Sequence, residues 1–208
     1  MTQAPAASPL SPLTLRGDLT EPLNKWLFLI KWLLIVPHVV VLIFLWIGLV
    51  FSWLFSLVAI LFTGRYPRGL FNYNVGVMRW TWRVGFYSYQ ALGTDRYPPF
   101  SLQKDDGYPA DLDVPYPERL SQGLVLIKWW LLALPHWVVA SALQGGGGLR
   151  FGGLQFALVV FAGFGNFFNA KYPGDIWDFV MGINRWVYRV NTYVLLMTDR
   201  YPPFNIRD

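Results

Sequence analysis

VVVLIFLWIGLVFSWLFSLVAILF, residues 39–62, contains no charged side chain across its 24 residues. As an α-helix it rises about 36 Å, enough for a hydrocarbon core of roughly 30 Å. A buried soluble helix has similar chemistry, but 24 uncharged residues are long for one. The stretch therefore reads as a membrane span. Upstream, residues 26–36 (WLFLIKWLLIV) are apolar except for Lys31, and Pro37 sets a bend. Downstream, Thr63-Gly64 ends the run and Arg65-Tyr66-Pro67-Arg68-Gly69 makes a basic turn.

The next stretch, 70–92, changes character. Asn72, Gly76, Arg79, Arg83 and Gln90 fall near one helical face, and Phe71, Val75, Met78, Trp82, Phe86 and Tyr89 largely on another. This predicts an amphipathic helix in the membrane interface. A span with both arginines turned into a protein interior is the alternative. It requires carboxylate or carbonyl partners at mid-bilayer.

These features recur. TDRYPPF stands at 94–100 and again at 198–204. The pair Arg79/Arg83 is matched by Arg185/Arg189, and RYP (65–67) by KYP (171–173). LIKW and PH occur at 29–32 with 37–38, and at 126–129 with 135–136. The second copy departs at 144–153, QGGGGLRFGG, where four consecutive glycines oppose a helix. Residues 154–168 are a shortened apolar run, and a second amphipathic helix is predicted at 176–197.

Hydrophobic residues make up 54% and charged residues 14%, against about 25% charged in soluble domains. Phe 16, Trp 11 and Tyr 11 suit the membrane–water boundary. The net charge of +5 is spread among apolar runs, which points to anionic lipid and away from nucleic acid. Cysteine is absent, which removes disulfides, thiolate nucleophiles and cysteine metal sites. The N-terminus lacks the pattern of a secretory signal.

Basic residues give a conflicting topology. Arg65, Arg68, Arg79, Arg83, Arg96 and Lys104 place 64–112 in the cytoplasm by the positive-inside rule. A second crossing by 154–170 returns Lys171, Arg185, Arg189 and Arg200 to the outside, against the same rule. Either the second copy does not cross fully, or 26–38 or 123–142 adds a crossing.

No reactive constellation emerges. His38 and His136 each follow a proline, but two histidines make an incomplete zinc site. GGGGLRFGG lacks the Lys-Ser/Thr of a nucleotide loop. Catalytic, cofactor-binding and metal residues are therefore assigned as none, and enzymatic activity is not expected. Lys31 and Lys128 are candidate membrane anchors, extending their ammonium groups to headgroups. Arg79/Arg83 and Arg185/Arg189 are candidate lipid-phosphate or partner contacts. Pairing within the protein, with Asp95, Asp178 or Asp199, is the equal alternative. Asp95/Arg96 and Asp199/Arg200 are candidate structural turns.

RYPRGLFNYNVGVMRWTWRV, followed by TDRYPPF and preceded by LIKWLLIVPH, resembles a bacterial membrane-protein family numbered 4389 among the domains of unknown function. The resemblance covers roughly 20–100 well and 117–204 less evenly. It implies a small integral membrane protein with repeated units, and transfers no activity or cofactor.

The expected fold is an all-α integral membrane protein: a tandem duplicated unit of transmembrane helix plus amphipathic interfacial helix. Its parts are a disordered tail (1–18), a first repeat (19–100), an acidic Pro-rich linker in water (101–116), a partly degenerate second repeat (117–204) and a C-terminal tail (205–208). The expected role is a non-enzymatic scaffold or modulator contacting membrane lipid, a membrane-protein partner or another copy. A small transporter or channel component is the alternative, and a lipid-modifying enzyme ranks below both. The expected location is a bacterial cytoplasmic membrane.

Overall fold

A computed structural model describes residues 12–145, 153–169 and 171–206. The protein is mostly helical. A short helix α1 (Lys31–Leu34) leads into α2 (Val36–Thr63), the longest element, and α3 (Arg68–Tyr87) follows after a short turn. A turn α4 (Leu124–Ile127) leads through a π-helical turn (Lys128–Leu132) into α5 (Leu134–Gln144), then α6 (Leu154–Asn169) and α7 (Gly174–Val194). Pro37 and Pro135 stand in the first turns of α2 and α5, where the missing N–H costs nothing.

The π turn has a sequence cause. KWLLIVPH runs from Lys31 to His38, whereas KWWLLALPH takes one residue more from Lys128 to His136. The wider π turn takes up the extra residue.

Two strands correct the all-α expectation. β1 (Thr14–Gly17) and β2 (Ala110–Asp113) pair antiparallel, Leu15 opposite Leu112. Thr14 to Gly17 are therefore not a disordered tail, and residues 1–11 lie outside the described residues. Nor is 101–116 a solvated linker throughout. Ala110, Asp111 and Leu112 are buried, because the alanine and leucine fill the core and the aspartate answers a buried positive charge. The glycine-rich stretch falls mostly outside the described residues, but α5 does end at Gln144 and α6 begins at Leu154.

The helices α3 and α7 are not interfacial. Each is covered on both sides by protein. On α3, Val77, Thr81 and Val84 face α2 and a central cavity. About half a turn away, Arg79, Trp82, Arg83 and Phe86 face the strands. Met181 of α7 likewise meets Gly17 of β1. The molecule thus has three layers: α2, α5 and α6 outside; α3 and α7 in the middle; β1, β2 and their loops on the far side.

The ends of α3 and α7 carry matched left-handed leucines, Leu92 (φ 53°) and Leu196 (φ 65°). After α7, the Leu196 N–H donates to the Tyr193 carbonyl and the Met197 N–H to the Thr192 carbonyl, closing the helix. A leucine in this conformation costs about 1–2 kcal/mol. Burying its side chain contributes about 1.5–3 kcal/mol, and both leucines are buried. Burial therefore outweighs strain, and the chain is aimed into TDRYPPF each time.

Candidate functional site

Four groups of polar side chains lie inside the protein. The first joins the start of α1 to the first TDRYPPF turn. Lys31 is 1% exposed, so it does not reach to headgroups as expected. Its Nζ lies 2.9 Å from Asp95 Oδ1 and donates to the Thr94 carbonyl at 2.7 Å. Asp95 also accepts from the Asn24 N–H. The ammonium stands 4.7 Å from the centre of the Tyr87 ring. Burial pulls the Lys31 pKa below its ordinary value, and Asp95 works against that pull.

The second group repeats these contacts. Lys128 is fully buried and lies 2.8 Å from Asp199 Oδ1, with the Thr198 carbonyl at 3.0 Å. Asp199 accepts from the Ser121 N–H at 2.6 Å. Each turn is also closed locally: Arg96 N–H to Thr94 Oγ1 at 3.1 Å, Arg200 N–H to Thr198 Oγ1 at 3.2 Å. The Arg96 guanidinium donates to the Gly107 carbonyl. Both lysine assignments are corrected by the same physics: an ammonium with a carboxylate and a carbonyl in place has no need of a headgroup.

The third group corrects the reading of Arg79 and Arg83 as surface contacts. Both are buried. Asp111 Oδ1 lies 3.1 Å from Arg79 Nε and 3.3 Å from Arg83 Nη2, and Asp113 lies 3.3 Å from Arg79 Nη2. Arg79 also donates to the Leu112 and Leu102 carbonyls, and Arg83 to the Gln103 carbonyl at 2.9 Å. Burial pulls the Arg83 pKa down, and Asp111 opposes it. The carboxylate partners are Asp111 and Asp113, not Asp95, Asp178 or Asp199. On the matching helix, Arg185 is half-buried, and buried Arg189 donates to the Asn205 carbonyl at 2.6 Å.

The fourth group is aromatic. His38 stacks on Phe100 at 3.8 Å and accepts from Trp80 Nε1 at 3.0 Å. His136 stacks on Phe204 at 4.1 Å, but neither its nitrogens nor Trp186 Nε1 has a hydrogen-bond partner among the described residues. Neither histidine bonds Asp95 or Asp199 there.

Between the outer helices lies an apolar cavity of about 920 Å³. Its mouth is bordered by exposed Val36, Val40 and Trp137, and its floor by buried Val84, Tyr188 and Val190. Sequence reading missed it because it arises where the two halves meet. A chain of glutamine contacts lies at one end: Gln144 donates to Gln155 Oε1, and Gln155 to the Gln90 carbonyl, both at 2.7 Å.

The first of these groups lies on a known pattern. Residues 25–101 match a family described as Domain of unknown function (DUF4389). The match takes in Lys31, His38, Arg79, Arg83, the first TDRYPPF turn and Phe100. It ends before β2, so Asp111 lies outside it. No curated protein and no solved structure matches the chain.

Proposed function

We propose that this is a non-enzymatic membrane protein of a bacterial cytoplasmic membrane, seated in lipid by the outer layer of α2, α5 and α6, where it organises lipid or a membrane partner. The carrying observation is the outward face of α2. Phe44, Phe51, Phe55 and Phe62 are 58–76% exposed along one side. The helix and the segment Leu124–Gln144 are both long and apolar enough to cross a membrane. Full burial of one large apolar side chain contributes about 1.5–3 kcal/mol. A row left in water forgoes a sum comparable with the 5–15 kcal/mol that holds a domain together. Acyl chains remove that penalty.

Reciprocal contacts support a duplicated unit. Tyr66 donates to the Leu195 carbonyl, and Tyr172 to the Ala91 carbonyl. Trp82 meets Tyr188, its own counterpart in the sequence repeat, at 5.5 Å. A residue meets its counterpart only on a two-fold axis. The charged groups hold this frame together, which favours a scaffold over a reaction centre.

Membrane fractionation tests the seating. The full chain should stay with membranes through alkaline carbonate and leave with detergent. Recovery as a detergent-free monomer in water defeats the reading. The cavity favours a second reading, a small transporter component, for which flux in defined vesicles is the measurement.

A further inference from the structure

We infer that the outer layer lies in the plane of one lipid leaflet, so that both ends of α2 are on the same side of the membrane. This rests on the lipid seating proposed above. The occupant of the apolar face is the acyl region of that leaflet.

The helices are staggered in a way that suits a plane and not a crossing. The cavity is flanked by α2 residues from Val36 to Leu49 and by α5 residues from Trp137 to Gln144. The N-terminal halves of the two apolar runs therefore overlap. Their far ends diverge. The end of α2 reaches the second half, where the Leu120 N–H donates to the Gly64 carbonyl and Trp53 meets Trp129 at 5.1 Å. The end of α6 reaches the first half, where Asn166 donates to the Leu23 carbonyl and the Tyr172 N–H to Glu21 Oε1. Each run thus begins beside the far end of the other. α2 alone, about 42 Å long, already exceeds a hydrocarbon core of about 30 Å, and the far part of the other run reaches back past the start of α2. A slab perpendicular to α2 leaves part of this joint face outside the hydrocarbon.

The polar layer makes the same demand. β1 packs at the middle of the molecule, its Arg16 carbonyl accepting from Trp82, the residue that meets Tyr188 on the axis. Its neighbours Asp18 and Asp113 are exposed. If α2 crossed the membrane with its counterpart, these carboxylates would stand in the hydrocarbon, an expensive place. With α2 in the plane, apolar helices face lipid on one side and charges face water on the other. The basic residues that conflict over topology then share one side.

The absence of cysteine allows a clean test. Single-cysteine variants F44C, F55C and F62C alter exposed positions, and a fluorescent label on each reports its depth by quenching from spin-labelled lipid. One common depth is expected. A crossing helix separates residues 44 and 62 by about 27 Å and puts them in opposite leaflets. A second measurement uses R65C, past the end of α2, and K25C, exposed ahead of its start, with a membrane-impermeant maleimide on sealed vesicles. Both should label from the same side. Labelling from opposite sides, or two depths in a carbonate-resistant protein, overturns the in-plane arrangement alone. A chain that never enters the membrane overturns the seating and this inference with it.

Discussion

In the first half of the molecule, Trp80 donates a hydrogen bond to His38 at 3.0 Å. In the second half, Trp186 and His136 stand at matched positions, and their nitrogens find no partner among the described residues. The stacked contact survives: both histidines lie at 14° to the phenylalanine of their TDRYPPF turn. The buried lysine–aspartate pair, which latches the helix start to the turn, survives as well, 2.9 Å in one half and 2.8 Å in the other. The extra residue between Lys128 and His136 separates what is kept from what is lost. Stacking tolerates a small shift of the ring, and a hydrogen bond, which weakens steeply with angle, does not. β2 supplies Asp111 to Arg79 and Arg83, and Arg189 bonds the Asn205 carbonyl.

The largest expected effect tests what the strand carboxylate adds. Asp111→Ala removes the carboxylate shared by two buried guanidiniums and should cost about 3–5 kcal/mol. Asp199→Ala should cost less, about 1.5–3 kcal/mol, because it deprives one buried cation of a carboxylate where Asp111→Ala deprives two. Thermal unfolding of both variants in one detergent gives the ranking. Equal losses would mean that the strand carboxylate is no more important than the latch.

A smaller effect sharpens the tryptophan contrast. Trp80→Phe removes the donor to a buried imidazole and leaves His38 Nδ1 unpartnered, beyond the loss of ring area common to both sites. Trp186→Phe removes an N–H that has no acceptor. The first substitution should therefore cost about 1 kcal/mol more than the second. Denaturant midpoints at a shared slope measure the difference. A Trp186→Phe variant that loses as much as Trp80→Phe would show that the indole N–H is bonded in solution.

Much of the frame was legible in the sequence. The apolar run 39–62 predicts α2, the prolines predict bends, and TDRYPPF predicts turns, because each signal is local. The sites of the charges were not legible. Asp111 lies 28 residues from Arg83 in a stretch rich in proline and carboxylates, and that composition reads as solvated. Only pairing of β1 with β2 turns its carboxylate inward. Leu15 and Leu112 carry a weak alternation, too short to register as strands. Lys31 and Lys128 misled for a related reason. A lysine in an apolar run reads as a membrane anchor, and its partner Asp95 or Asp199 arrives only when a second helix folds back.

The smallest expected effect concerns Tyr87, which touches the first latch. Its ring is buried beside the Lys31 ammonium, with Tyr97 at 5.8 Å. Burial chiefly, then Asp95 and Tyr97, pushes its pKa from 10.0 to about 12. The folded value lies above the unfolded one, so the native state keeps a proton that the unfolded chain releases. The resulting stability is complete below pH 10 and is lost as pH rises through about 12. Lys31 titrates in the alkaline range too, so the informative quantity is the difference between the wild-type protein and Tyr87→Phe. Unfolding midpoints collected from pH 9 to 12 should fall less steeply in the variant. Tyr193, raised by burial with help from Tyr201 and Asp199, predicts the same direction for the second half. Parallel curves for wild type and Tyr87→Phe would mean that water reaches the first latch and that its phenol titrates normally.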